Sequence, residues 1–238
     1  MTWSIIARDT KTGRLGIAAA SRFFAVGVRL PFIASGVGAV ATQALVNSLY
    51  GPKGLELLHA KHSPTDVVRL LIAADEGRDH RQVHVMDNSG QVAAHTGSAC
   101  VDWCGHLTGE AWSSAGNFLA GSAVLEDTVE AYLENSALPF ARRLIAAMQA
   151  GEAAGGDKRG KQSAVLKIYG EEAWPDLDLR VDDHVDPLTE LERLEAVSRE
   201  RFVYFTRCLP GREDPVGLID REMIEKRIAA ARAAEIAP

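Results

Sequence analysis

The feature that most constrains how this chain of 238 residues can fold is its segment order: two pairs of helix-forming segments, each preceded by short strand-like runs joined by turns. Thr2 to Ala7 and Leu15 to Ala20 are apolar runs separated by Asp9-Thr10-Lys11-Thr12-Gly13, turn chemistry that predicts an antiparallel hairpin. Val37 to Gln43 is small and apolar on both faces, as expected of a strand covered on two sides. The first helix pair begins near Pro52 with Leu55, Leu57 and Leu58. It continues at Ser63-Pro64-Thr65-Asp66, an N-cap signature ahead of Val67, Val68, Leu70 and Leu71. Gln82 to Met86 and Gln91 to His95 predict a second hairpin across Asp87-Asn88-Ser89-Gly90, followed by a strand from Ala111 to Ala115. Helices are expected over Leu119 to Glu134 and Pro139 to Ala150, and a Gly-rich turn from Gly151 to Gly160 leads into a strand from Ser163 to Tyr169. This α+β order predicts two stacked antiparallel sheets with a helical layer outside each.

From Asp186-Pro187 onward the pattern becomes charged amphipathic helix, with Leu188, Leu191, Leu194 and Val197 on one face, and a second such segment runs from Ile219 to Ala234. Residues 1–184 are therefore read as the main domain and 185–238 as a helical extension. An apolar face of that kind must be covered by the chain itself or by another subunit, and a homodimer using residues 186–238 is the expectation.

A hydrophobic content of 47% supplies a core without staples. Three cysteines, Cys100, Cys104 and Cys208, an odd number without dense spacing, argue against a disulfide framework and for a reducing, cytoplasmic compartment. Cys100 and Cys104 have only His106 as a further neighbour of ligand type, so no metal or cofactor is expected. There is no run of 18 apolar residues, and a net charge of −6 gives no attraction for phosphate backbones or anionic surfaces. Neither a membrane nor a nucleic acid is an expected partner.

Chemistry is concentrated where strands end. Thr2 follows Met1, and once Met1 is removed its hydroxyl has its own base: a free α-amino group with a pKa near ~8 takes the hydroxyl proton directly or through water. Read without that step, Thr2 is a β-former opening a strand. Ser21 and Arg22 close the second strand, and a guanidinium there could bind a substrate carboxylate. Gln43 and Asn47 are neutral donors that could stabilise an oxyanion, although Asn47 taken alone reads as a helix cap. Asn117 lies at another strand-to-helix junction. Asp157, set in Gly155-Gly156-Asp157-Lys158-Arg159-Gly160, is a carboxylate among cations that could orient a hydroxyl or amine. A Cys–His pairing of Cys100 with His95 or His106 is a competing arrangement.

These clusters, in this order, resemble a bacterial family of unknown function assigned to the N-terminal-nucleophile (Ntn) hydrolases. The matching stretches are Met1 to Ile5, Ala20 to Phe23, Ala41 to Ala44, Asp79 to Gln82, His95 to Cys100, Gly155 to Ala164 and Val181 to His184. The resemblance implies an αββα sandwich and hydrolysis of a small amide, peptide or ureido bond, with Thr2 as nucleophile. In that role Gln43, Asn47 or Asn117 would be the oxyanion donors, and Arg22 would hold an anionic group of the substrate. The chain is also distantly similar to proteasome subunits. That likeness puts Ser21 where a supporting Asp would stand and implies that Asp157 orients the nucleophile. The supporting Lys has no counterpart, and Arg22 and Arg29 are the available cations. Two readings stay open beside this one: a non-catalytic scaffold or ligand-binding protein with the same fold, and hydrolysis by Ser4 or Cys100.

Overall fold

Among the described residues ten strands form two separate sheets, and every pairing within them is antiparallel. The structure, a computed structural model, describes residues 2–236. Met1, whose removal the N-terminal nucleophile requires, lies outside them. The chain divides into two units, residues 1–191 and 192–238.

The first hairpin joins β1 (Thr2–Arg8) to β2 (Leu15–Ser21) with Thr2 opposite Ser21. A short helix α1 (Val26–Arg29) leads into β3 (Pro31–Ala34) and β4 (Gly38–Ala44). Helices α2 (Tyr50–His59) and α3 (Pro64–Ala73) follow. Ser63 caps α3 as expected, its Oγ accepting from the Asp66 amide at 3.1 Å with Pro64 in the first turn. Then come β5 (Arg81–Asp87), β6 (Val92–Thr96), β7 (Trp103–Gly109) and β8 (Trp112–Leu119). Helices α4 (Ala123–Glu134) and α5 (Phe140–Ala153) precede β9 (Ser163–Tyr169) and β10 (Pro175–Val181). The chain ends with α6 (Pro187–Ser198), α7 (Phe202–Phe205) and α8 (Arg221–Ile236).

One sheet runs β10-β9-β2-β1-β8-β7 and the other β3-β4-β5-β6. The period of two along each strand decides what each face meets. Ile6, Ile17, Ala19 and Val165 of the first sheet share one apolar cluster with Ala39, Ala41 and Met86 of the second, so these faces look at each other. The alternate residues of the second sheet, Val40, Val83 and Val85, pack with Leu58 of α2 and Val67 and Leu71 of α3. Helices α4 and α5 lie against the first sheet through β1, β2, β8 and β9.

Three expectations need correcting. The strand expected over Ala111 to Ala115 runs on to Leu119, because Asn117 and Gly116 pair with Thr2 and Trp3 of β1; the following helix therefore starts at Ala123. Helix α5 continues through Gly151 to Ala153, so the Gly-rich turn begins later, at Gly155 and Gly156. Their φ values of 113° and 47° are left-handed conformations that glycine enters without a Cβ clash. That reversal sets Asp157 in a bridge with Leu119 of β8.

Candidate functional site

Thr2 is the first residue of a central strand, flanked by Ser21 of β2 on one side and Asn117 of β8 on the other. By the alternation that points Ile6 between the sheets, Thr2 and Ser4 belong to the same inner face. The Thr2 side chain is 6% exposed, and its Oγ1 lies 3.0 Å from Ser21 Oγ, either atom being able to donate. What holds Ser21 there begins with Asp157. One carboxylate oxygen accepts the Arg22 backbone N–H at 3.1 Å, and the other accepts the Arg159 N–H at 2.9 Å. The Arg159 guanidinium adds an ion pair at 3.3 Å. Asp157 thus ties down the residue after Ser21, and through it the hydroxyl that meets Thr2.

Behind Thr2 the space between the sheets is filled with amides. Gln43 Nε2 and Asn117 Nδ2 each donate to the Thr2 carbonyl at a long 3.4 Å, and both also donate to Gln82 Oε1, at 2.7 and 3.0 Å. Gln82 Nε2 shares its two protons among Thr96 Oγ1 and the carbonyls of Gly105 and Gly116, at 2.9, 2.9 and 2.8 Å. Gln82 on β5 therefore joins the second sheet to β7 and β8 of the first, and Gln43 on β4 joins it to β1. All three amide side chains are buried, where an unmet donor costs far more than a typical hydrogen bond contributes.

A second chain of bonds runs deeper. Ser4 donates to Gln43 Oε1 at 2.6 Å, so it can accept only from His84 Nε2, 2.9 Å away. The imidazole then carries its proton on Nε2, and Nδ1 accepts from Ser113 Oγ at 3.1 Å. Complete burial, with a lesser contribution from the charge of His106, pushes the His84 pKa down to about 3 and keeps the ring neutral. Ser4 is thus spoken for on both sides and sits at 0% exposure, remote from any solvent-borne substrate.

Thr2 also lines a pocket of about 70 Å³ with Phe23, Val26, Arg29, Leu30, Thr42 and Gln43. Arg22 is absent from this lining; its guanidinium donates to the Lys161 carbonyl at 3.0 Å on the outside of the β2 end. The cation that lines this pocket with Thr2 is Arg29. Asn47 is likewise drawn away. Its Nδ2 donates to Asp75 at 3.0 Å and its Oδ1 accepts from Leu49 N, which makes it part of the entry to α2. Burial alone would raise the Asp75 carboxyl, but bonds from Asn47, Tyr50 and Arg81 hold it well below the usual carboxylate range. Burial pushes the Cys100 thiol up, and its sulfur donates to the Arg81 carbonyl. His95 and His106 bond to the Arg78 carbonyl and the Thr96 hydroxyl instead of to that sulfur. No cluster of three or more His, Cys, Asp or Glu side chains suited to a metal occurs among the described residues.

The family model of the family of unknown function DUF1028 matches residues 2–191. The chain belongs to the DUF1028 family. The crystal structure of protein SPO2555 from Silicibacter pomeroyi, described with the same family model, matches the DUF1028 chain with a TM-score of 0.86 at 34% identity. That match covers 92% of this chain and 96% of SPO2555. Anbu (ancestral beta-subunit) from Yersinia bercovieri gives a TM-score of 0.41 at 12% identity, over 88% of the DUF1028 chain and 98% of Anbu. No curated protein matches the sequence. No helix among the described residues is long and apolar enough to cross a membrane.

Gln82 and His84 are residues of this DUF1028 chain to which sequence reasoning gave no place beside Thr2, although Gln82 ends one of the matching stretches and His84 is one of several histidines open to a competing chemistry. They alternate with Val83 and Val85, which reads as a half-buried strand with its polar face in water. In the structure the polar face looks at another sheet. The available signal was that the inner positions of β4 and β8 also carry amides, Gln43 and Asn117.

Proposed function

We propose that this protein is an amidohydrolase of the N-terminal-nucleophile type, an αββα sandwich in which Thr2, exposed by removal of Met1, cleaves a small amide, peptide or ureido bond. The observation that carries this reading is the position of Thr2: first residue of a central strand, side chain on a pocket, hydroxyl 3.0 Å from a second buried hydroxyl. The α-amine takes the proton as Thr2 Oγ1 attacks the carbonyl carbon. The same proton passes to the leaving nitrogen as the C–N bond breaks, leaving an ester on Thr2. Water, deprotonated by the amine, then hydrolyses the ester and restores the hydroxyl.

Ser21 orients the nucleophile, and Asp157 holds Ser21 in place rather than acting on substrate. Asn117 Oδ1 is buried without a hydrogen-bond partner, and Asn117 is the register partner of Thr2; an ammonium donor at the strand start is what that oxygen lacks. The oxyanion donors on this reading are Gln43 Nε2 and Asn117 Nδ2, each of which gives up a long 3.4 Å bond to the Thr2 carbonyl while keeping its shorter one to Gln82. Asn47, bound to Asp75, has no part in it.

Treating the untagged protein with a short β-lactone tests the reading without a known substrate. Acylation of Thr2 in the wild type, its loss in Thr2→Ala and an intact mass lacking Met1 are expected. Once a substrate is in hand, Thr2→Ala should remove at least ~10³-fold of the rate, and Gln43→Ala or Asn117→Ala about 10²-fold.

One observation favours a second reading, a ligand-binding protein on the same fold: every side-chain amide proton beside Thr2 is already engaged. Uniform retention of Met1 together with no acylation of Thr2 would decide for it.

A further inference from the structure

The pocket beside Thr2 is chemically lopsided. Its walls include the apolar side chains of Phe23, Val26 and Leu30 and the neutral Thr42, and no carboxylate lines it. Its one cation is Arg29, at the C-terminal end of α1. Nearby arginines are occupied: Arg22 by the Lys161 carbonyl, Arg159 by Asp157, Arg180 by Asp182. The Arg29 side chain has no hydrogen bond, ion pair or ring contact with any of the described residues. A guanidinium presents five donors in a planar fork suited to a carboxylate, and one left unpaired on the wall of a pocket is suited to receive an anion.

Size narrows the ligand further. A volume of about 70 Å³ compares with the ~30 Å³ that each water occupies in the liquid. It is far below the ~300 Å³ at which pockets for drug-sized ligands begin. The enclosed part of a ligand is therefore small. Two of its lining residues, Phe23 and Val46, stay 58% and 37% exposed, an apolar rim for whatever protrudes.

We propose that the Thr2 pocket binds a short aliphatic carboxylate, with Arg29 as its anion receptor, so that the substrate class is a small amide carrying a carboxylate a few bonds from the scissile carbonyl. This assignment of substrate rests on the hydrolase reading above; the binding of the anion does not. Arg29, rather than Arg22, sets specificity.

The test compares butyrate with butyramide, its neutral isostere, by ligand-observed NMR on the full chain. Butyrate is expected to bind at least ~10-fold more tightly than butyramide, as a charge-assisted pair requires. Arg29→Gln should erase that difference, Arg29→Lys should restore part of it, and Arg22→Gln should leave it intact. Arg29 is exposed on a four-residue helix, and an unchanged thermal midpoint of Arg29→Gln would show the fold preserved. Equal binding of the two probes, no binding of butyrate, or loss through Arg22→Gln instead would overturn the proposal. Thr2→Ala should still bind butyrate. Acylation of Thr2 by the lactone without butyrate binding would defeat the anion receptor alone, and butyrate binding without acylation would defeat the nucleophile alone.

Discussion

The layer between the two sheets has two ends built on the same strands by opposite means. At one end Ile6, Ile17, Ala39, Ala41 and Met86 meet as hydrocarbon. At the other Thr2, Ser4, Gln43, Gln82, His84 and Asn117 meet as a hydrogen-bonded network, with equal exclusion of water. Burial gives no hint of the difference. The aliphatic end draws its stability from area, which is nondirectional and forgiving of shape, whereas the amide end is stable only while each donor has its acceptor. The rigid, directional end is the one that carries Thr2.

The sharpest way to break this comparison is to make an equally conservative change at each end. Gln82→Met keeps the length of the side chain but leaves Gln43 and Asn117 without their shared acceptor and two carbonyls without a donor. At roughly 1–3 kcal/mol for each orphaned group, a loss of about 4 kcal/mol in denaturant unfolding is expected.

Acid should act on the polar end alone. His84 has a folded pKa of about 3, below its ordinary value of 6.5, so the unfolded chain binds the extra proton first. Stability from this group is complete above about pH 6.5 and is lost as pH falls toward 3, by at most about 1.4 kcal/mol per pH unit. Between pH 6.5 and 5 that amounts to up to about 2 kcal/mol. A unfolding series over this range should show the slope in the wild type and a flatter line in His84→Gln.

The smallest effect belongs to the aliphatic end. Ile17→Val removes one methyl group from a well-filled cluster and should cost about 1 kcal/mol, with no change in the acid slope. Should Ile17→Val and Gln82→Met cost the same, the distinction between the two ends would fail.

The sequence announced the interior strands and one edge strand, β6, and hid the other three edges. Three strands escaped expectation, β3, β7 and β10, and each lies at the edge of its sheet. Edge strands are short or polar to discourage pairing with other chains, which erases the alternation that reveals a strand. β3 has four residues, β7 carries two glycines, and β10 reads Pro-Asp-Leu-Asp-Leu-Arg-Val. Of the candidate site residues, those that the structure brings together, Thr2, Ser21, Gln43 and Asn117, each stand near the end of a predicted strand. Arg22 was given the anion-holding role for its place beside Ser21, but it lies one residue past β2, and its guanidinium bonds the Lys161 carbonyl. Asn47 was three residues past the strand end, far enough for a helix entry to claim it.

The sharing of one Gln82 oxygen by Gln43 and Asn117 also bears on how such a chain can change over generations. Replacing any one of the three strands the others, so each single step passes through a less stable intermediate, while a matched pair of replacements can restore the balance. The trio should therefore drift together or hardly at all, even as the hydrocarbon a few residues along the same strands exchanges one methyl at a time.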